Sequence, residues 1–147
     1  MKDFLSCTKP VMIALASFGA HQERAAIAEG ERQAAEAYNL AAGQKAAVAE
    51  FHANKGFWPD DNPSAGIANA EDISGRYVEE VRIGVDISGA QQPGIITATL
   101  NDSQRVLPPL RGKKLSIVPS YDDGSYAWSC LSDINSSFLP KSCRINQ

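Results

Sequence analysis

Apolar and polar positions follow a helical period over much of the first third of the chain. From about His21 to Lys55 the composition is alanine-rich, with Glu, Arg, Gln and Lys between the alanines, and these residue types are strong helix formers. The apolar positions recur at spacings of three and four and form one stripe: Ala37, Tyr38, Leu40, Ala41, Ala42, Val48, Ala49 and Phe51. The pattern predicts one long amphipathic helix.

Two glycines lie inside this predicted helix, and each weakens it by roughly 1 kcal/mol relative to alanine. They are Gly30 and Gly43. Gly43 lies within the apolar face, so we interpret it as a position where another element approaches the helix backbone closely. The stretch Asn54-Lys55-Gly56 predicts the end of the helix, and Trp58-Pro59 prevents its continuation.

A period of two replaces the helical period later in the chain. A connector from Gly56 to Asp72 comes first, and its length indicates either a functional loop or a packed excursion. Beyond it, apolar positions alternate with polar or small ones, which is typical of half-buried strands. Four strands are predicted, at Tyr77–Val85, Ile95–Leu100, Leu115–Val118 and Ser125–Leu131.

Short turns join these predicted strands. They are Gly89 to Pro93-Gly94, then Arg111-Gly112, then Asp122-Asp123-Gly124, the last being a strong hairpin signal. Strands joined by short turns favour an antiparallel meander. The order of elements therefore predicts an α+β fold, with a long N-terminal α-helix packed on a four-stranded antiparallel β-sheet. The last segment, Asp133 to Gln147, has no clear period.

The composition is that of one ordinary globular domain. The chain has 147 residues, of which 44% are hydrophobic and 21% charged. Its net charge of −3 gives no global attraction to nucleic acid or anionic membranes. No stretch reaches the roughly 18–20 apolar residues that cross a bilayer. We interpret the short apolar run Val11–Gly19 as an ordinary helix start, with part of a secretory signal as the less favoured alternative.

Three cysteines add a constraint near the C-terminus. Cys130 and Cys143 lie close together in sequence, whereas Cys7 lies far from both. Pairings with Cys7 remain open, but proximity and a loop-rich setting favour Cys130–Cys143. A disulfide closing so short a loop contributes about 3 kcal/mol. Such a bond persists in oxidising compartments, which indicates a protein that works outside the cytoplasm.

Residues suited to catalysis or to metal binding are sparse. The two histidines, His21 and His52, both fall in the predicted helix, and we expect His52 to be solvated at its edge. The spacing of the residues suggests no Ser/His/Asp or Cys/His group of the kind used in nucleophilic catalysis. The sequence also has no C-x-x-C or H-x₃₋₅-H pattern of the kind that binds zinc. Asp60-Asp61-Asn62 and Asp122-Asp123-Gly124 offer oxygen ligands, but turn formation is favoured over weak calcium binding. We expect no enzyme activity and no cofactor.

Four basic residues cluster around the connection between the second and third strands: Arg105, Arg111, Lys113 and Lys114. A basic loop of this kind is suited to contacting the phosphates of DNA, with a steep dependence on salt. No aromatic residue lies between them to stack on bases, which counts against single-strand binding. We favour a solvated sheet edge on which lysines oppose strand pairing, and DNA binding is the alternative.

Aromatic residues mark the last predicted strand. Tyr121 and Tyr126 indicate either an adhesive surface or, as we favour, packing of that strand. Trp128 is expected to anchor the sheet on the helix, because burial of so large a ring contributes several kcal/mol.

Six segments, in one order along the chain, resemble the type IV pilins. They match the exposed part of the long helix, the turn after it, the openings of the first two strands, and the disulfide-bounded terminal region of the major pilins of Gram-negative bacteria. The segments are Glu36–Phe51, Gly56–Pro59, Ile73–Val78, Gly94–Thr99, Trp128–Cys130 and Leu139–Cys143. Each segment is weak alone, but together they cover about Ala34 to Arg144 and are specific.

The resemblance implies the pilin fold and a structural role. Members of this family stack their long helices in the core of a fibre and display the sheet and the disulfide region outside. The fibre serves adhesion, twitching motility or DNA uptake. The implied partners are other pilin subunits, host or abiotic surfaces, and DNA, and the implied location is an extracellular pilus reached through the periplasm. The alternatives are a minor pilin that binds DNA through the basic loop, or a soluble pilin-like domain that does not polymerise.

The resemblance does not extend to the first part of the chain. Pilin precursors carry a short leader, a peptidase cleavage point and a long apolar helix, and Met1–Gln33 shows none of these. We therefore divide the chain into an atypical N-terminal helix or tail, residues 1–33, and a pilin-like globular domain, residues 34–147. Membrane anchoring is not expected of this N-terminus.

Overall fold

The computed structural model describes the backbone of residues 2–144 and the side chains of residues 19–143. Two helices come first, α1 (Lys2–Ala42) and α2 (Lys45–Lys55). The strands and a short last helix follow: β1 (Val78–Val85), β2 (Gln91–Leu100), β3 (Lys114–Asp122), β4 (Ser125–Ser132) and α3 (Lys141–Arg144). The predicted α+β architecture is confirmed. The Cys7 side chain and most of the Val11–Gly19 run lie outside the described side chains.

The predicted single helix is two helices, separated at Gly43 and Gln44. The Gly43 N–H donates to the carbonyl of Asn39 at 3.0 Å, and the Gln44 N–H donates to that of Ala41 at 3.0 Å, which closes α1 with a turn. Gly43 is exposed, and a Cβ there meets only the carbonyls of Asn39 and Leu40, at 3.5 Å. The prediction of a close-contact glycine at Gly43 is wrong, because the residue marks a helix junction and no other element approaches it.

Gly30 is the helix glycine that another element approaches. A Cβ built on Gly30 would overlap Cδ1 of Phe138, so the phenylalanine ring rests directly on the α1 backbone. Phe138 belongs to a 3-10 turn, Ser136–Phe138, in the C-terminal segment. The absence of a side chain at Gly30 therefore allows this segment to dock on α1.

The sheet has the order β1-β2-β3-β4, and every neighbouring pair is antiparallel. β2 begins earlier than predicted, at Gln91, so Pro93 and Gly94 lie in the strand and not in the turn. The turn is instead held by Asp86, whose carboxylate accepts hydrogen bonds from the N–H groups of Ser88 at 2.8 Å and Ala90 at 3.1 Å. The predicted hairpin between β3 and β4 is confirmed: Asp123 and Gly124 have φ values of 46° and 85°, as a tight two-residue turn requires.

The core lies between the small-residue face of α1 and one face of the sheet. Ala34, Ala37 and Ala41 are fully buried, so the helix backbone comes close to the strands. The largest buried side chains come mainly from the sheet and its connections: Ile83, Ile95, Ile96, Leu100, Leu110, Leu115, Ile117 and Leu139. Among the described residues, no helix combines the length and the apolar character of a membrane span.

Candidate functional surface

A disulfide fixes the C-terminal segment to the last strand. The structure joins Cys130 of β4 to Cys143 of α3, with a Cα–Cα distance of 4.9 Å. Both cysteines are almost fully buried, as are Ile134 and Leu139 in the loop between them. Together with the Phe138 contact on Gly30, these residues pack the irregular C-terminal segment onto both the sheet and α1.

Polar side chains on α1 bind the backbone of the segments that cross it. Gln33 is only 1% exposed, and its Oε1 accepts the N–H of Leu107 at 2.9 Å while its Nε2 donates to the carbonyl of Arg105 at 3.3 Å. Glu36 Oε1 accepts the N–H groups of Tyr77 and Val78, at 3.0 and 3.1 Å. These contacts fix the rotation of α1 on the sheet, which an alanine stripe alone leaves loosely defined.

Glu29 extends this network toward the N-terminal part of α1, where residues 19–28 are exposed. Its carboxylate accepts hydrogen bonds from Arg32, from Gln33 Nε2 at 3.2 Å and from the Tyr77 hydroxyl at 3.0 Å. These donors, Arg32 first, hold the pKa of Glu29 below its ordinary value. The same bond to Glu29 raises the pKa of Tyr77.

The long connector is a packed excursion held by Asn62. The Asn62 amide donates to the carbonyls of Ala68 and Val81, each at 3.0 Å, and its oxygen accepts the N–H of Ile83 at 2.8 Å. The side chain thus completes the hydrogen bonding of edge strand β1. Asp61 accepts the N–H of Ser64 at 2.8 Å, as in a turn. Within the part of the chain that the structure describes, no three His, Cys, Asp or Glu residues converge on a potential metal position.

The basic residues lie along the connection from β2 to β3 and at the start of β3. Arg111 Nε donates to the carbonyls of Val106 at 2.8 Å and Ser103 at 3.0 Å, so this side chain braces its own loop. Arg105 is exposed, and Lys114 is paired with Thr99 of β2. The sheet-edge interpretation is wrong, because β3 is an inner strand. DNA binding by Arg105, Arg111, Lys113 and Lys114 stays a prediction.

An aromatic cluster joins the end of α2 to the β3–β4 hairpin. His52 stacks on Trp58 with ring centroids 4.0 Å apart, and its Nδ1 lies 2.9 Å from the Tyr126 hydroxyl. Tyr121 and Tyr126 pair across the hairpin, with ring centroids 4.8 Å apart. His52 is therefore half-buried and held by other rings, so the prediction of a solvated residue holds only in part. The predicted hairpin turn is sufficient to place Tyr121 opposite Tyr126. The contact of these tyrosines with His52 of α2 could not be predicted from local sequence.

Trp128 lies on the same face of β4 as Tyr126, toward the helices. It is half-buried, and the ammonium of Lys45, at the start of α2, lies 5.7 Å from its ring centroid. The same ammonium lies 5.8 Å from the ring of Tyr38 on α1. The tryptophan therefore anchors the sheet at the junction of α1 and α2, as its size predicts.

A family model and individual relatives of this chain all belong to the same family of proteins. The family model for pilin, a bacterial filament protein, matches residues 33–144. The fimbrial protein EcpC of Eikenella corrodens is 44% identical over 112 residues, which are 76% of this chain and 69% of that protein. The type IV major pilin PilE of Neisseria gonorrhoeae is 45% identical over 98 residues, or 67% of this chain and 53% of PilE.

A third relative, a fimbrial protein of Neisseria meningitidis serogroup A, is 43% identical over 67% of this chain and 52% of its own length. The chain thus spans about two thirds of EcpC and about half of the two neisserial proteins. The matched region contains the packed part of α1, all four strands and the disulfide. The chain therefore belongs to the pilin family of bacterial filament proteins, and within that family it is a type IV pilin, a structural subunit of a pilus.

Proposed function

We propose that this subunit assembles through the N-terminal part of α1 and displays its sheet and disulfide region on the outside of the filament. The exposure of α1 carries the proposal. Side chains from Gly19 to Ala28 are all exposed, including Ile27 at 41%, and burial begins only at Glu29 and Gly30. A helical segment without tertiary packing is marginal in water, so this stretch is suited to packing against other subunits.

This proposal gives the two parts of the chain different roles. The exposed residues 19–28 supply contacts between subunits, whereas Glu29, Gly30 and Gln33 already pack on the globular domain of their own subunit. The buried disulfide is suited to the oxidising periplasm, through which the subunit reaches the cell surface. The filament serves adhesion, twitching motility or DNA uptake, and no catalytic step is assigned to the subunit.

DNA binding through the basic connection is a second, narrower proposal. Arg105 is exposed and points to no acidic partner among the described residues, whereas Arg111 is held by its own loop. A gel-shift titration against salt tests it with Arg105→Gln and Lys113→Gln. Loss of affinity and a shallower salt slope support DNA binding. No shift with the unaltered chain at low salt refutes it.

Electron microscopy of expressing cells, with a label on this chain, tests the assembly proposal. Ile27→Glu places a charge in the exposed part of α1 and is expected to abolish labelled fibres while the isolated subunit keeps its melting temperature. Leu131→Glu is the matched control, because Leu131 is 43% exposed and alternates in β4 with the buried Cys130, so its side chain lies on the outer face of the sheet. Fibres that persist with Ile27→Glu refute the proposed interface. No fibres with the unaltered chain favour a pilin-like domain that does not polymerise.

A further inference from the structure

An open groove of about 510 Å³ lies between the C-terminal end of α2 and the β3–β4 hairpin. The rings of His52, Tyr121 and Tyr126 form its floor, and Ala53 and the glycines 56 and 124 line the rest. A volume of this size is within the usual range for small-ligand sites, about 300–1,000 Å³. None of the lining residues is Lys, Arg, Asp or Glu.

The aromatic floor is held in place before any ligand arrives. Trp58 stacks on His52, and the hydrogen bond between His52 Nδ1 and the Tyr126 hydroxyl ties α2 to the hairpin. Tyr121 is held by its cross-strand pairing with Tyr126 but remains 49% exposed. A ligand that stacks here therefore orders few side chains on binding, which lowers the entropic cost of binding.

The ring spacing excludes one common class of aromatic site. Ring centroids lie 5.0 Å apart for His52 and Tyr121, 4.8 Å for Tyr121 and Tyr126, and 5.5 Å for His52 and Tyr126. These are distances between rings in mutual contact, so no ammonium group fits between them as it does in an aromatic cage. The cluster instead offers tilted aromatic faces, the most exposed of them on Tyr121, and none of the side chains that line the groove is charged, which suits a neutral ligand.

Hydrogen-bonding groups surround this surface. The Tyr121 hydroxyl and the second ring nitrogen of His52 have no hydrogen-bond partner among the described side chains and backbone. The last carbonyls of α2 also lack helical partners, apart from that of His52, which accepts the Gly56 N–H at 2.8 Å. Donors and acceptors beside the exposed ring of Tyr121 match a pyranose ring, which has one face of C–H groups and a rim of hydroxyls.

We propose that this groove binds a neutral saccharide, with Tyr121 as the stacking residue and His52 as a hydrogen-bonding residue. An aromatic peptide side chain also stacks on such a floor, but it leaves the polar rim unused. The biological use of the site rests on the adhesive role proposed above. Binding itself is a property of the single chain, so it is measured on the isolated subunit, and its failure is distinguishable from a failure to assemble.

Saturation-transfer difference NMR and ¹H–¹⁵N chemical-shift titration of the full chain test this site. The probes are methyl β-D-galactopyranoside, methyl β-D-glucopyranoside and, for the peptide alternative, glycyl-tryptophyl-glycine. We expect millimolar affinity for at least one glycoside, roughly 1–10 mM. Saturation should be strongest at the C–H protons on one face of the sugar, with shifts at His52, Ala53 and Tyr121.

Three variants separate stacking from other effects. Tyr121→Ala should weaken glycoside binding about tenfold, and Tyr121→Phe should retain most of it, because the ring is kept. Leu131→Ala, another exposed apolar residue outside the groove, should bind as the unaltered chain does. The proposal is overturned if neither glycoside binds at concentrations up to 50-fold the expected dissociation constant, or if only the peptide binds. It is also overturned if the chemical-shift changes lie outside the groove, or if Tyr121→Ala and Leu131→Ala lose equal affinity.

Discussion

Removal of the Cys130–Cys143 disulfide tests how the C-terminal segment is held. We consider the double variant Cys130→Ala with Cys143→Ala, because alanine avoids leaving an unpaired thiol or a buried hydroxyl at these two positions. In the folded chain the bond links β4 to α3 and closes a loop that contains Ile134, Phe138 and Leu139. Without it, these three residues lose the covalent link and keep their packing, the 3-10 turn and the hydrogen bond from the Ile134 N–H to Ser132 Oγ.

The expected loss follows from the size of the closed loop. With a sequence separation of 13 residues, the chain-entropy relation gives about 3 kcal/mol of lost stability. For a domain of this size that corresponds to a fall in melting temperature of roughly 10 °C. The helical content should change little, because α1 and α2 lie outside the loop.

Thermal denaturation by circular dichroism, together with limited trypsin digestion, measures both effects. Cleavage after Lys141, which lies in α3, should become faster in the double variant and should release the terminal peptide first. Cys7→Ala is the matched control and should leave melting and cleavage unchanged. An unchanged melting temperature together with unchanged trypsin resistance in the double variant would refute the account of the segment.

Three further predictions concern the helix surface, the connector and pH. Gly30→Ala should destabilise by about 1–2 kcal/mol, since the displaced Phe138 ring outweighs the gain in helix propensity, whereas Gly43→Ala should stabilise by up to about 1 kcal/mol. Asn62→Ala should lower the unfolding free energy by about 3 kcal/mol, because the carbonyl of Val81 and the N–H of Ile83 in β1 lose their hydrogen-bond partner. Since the folded pKa of Glu29 is depressed, its stabilisation is present above its ordinary pKa of 4.5 and is lost as pH falls further.

Urea denaturation checks each of these predictions. For the glycines the decisive comparison is the sign of the two changes, and equal effects of Gly30→Ala and Gly43→Ala would contradict the ring contact. Asn62→Asp should destabilise at least as much as Asn62→Ala at pH 7, because it buries a carboxylate oxygen opposite the carbonyls of Ala68 and Val81. Glu29→Gln should be less stable than the unaltered chain at pH 7, and the difference should shrink as pH falls below 4.5; a constant difference would contradict the linkage.

Local sequence patterns were sufficient for much of the fold. The alanine stripe predicts the helix face that is buried, and Asp123-Gly124 predicts the hairpin, because both signals depend on residues that are near neighbours in sequence. The break after Ala42 was missed, since Gly43 is equally compatible with a packed helix. The same limit applied to Gly30, whose role depends on Phe138, more than one hundred positions later.

The candidate surface was less predictable than the fold. The contact between His52 and Tyr126 spans 74 positions, and it depends on the angle at which α2 leaves α1, which no local pattern encodes. Glu36 shows the same limit, because its carboxylate accepts the backbone N–H groups of Tyr77 and Val78, which lie more than forty positions later. In both cases the partner belongs to an element placed by the whole fold.

We propose that this type IV pilin is built into a surface filament with the N-terminal part of α1 inside and the disulfide region outside. A cryo-electron microscopy reconstruction of filaments sheared from cells that produce this chain tests it most directly. The predicted result is a fibre in which this fold repeats, with the N-terminal part of α1 buried between subunits and Cys130–Cys143 at the outer surface. Filaments without this chain, or the chain recovered only as a monomer, would contradict the claim.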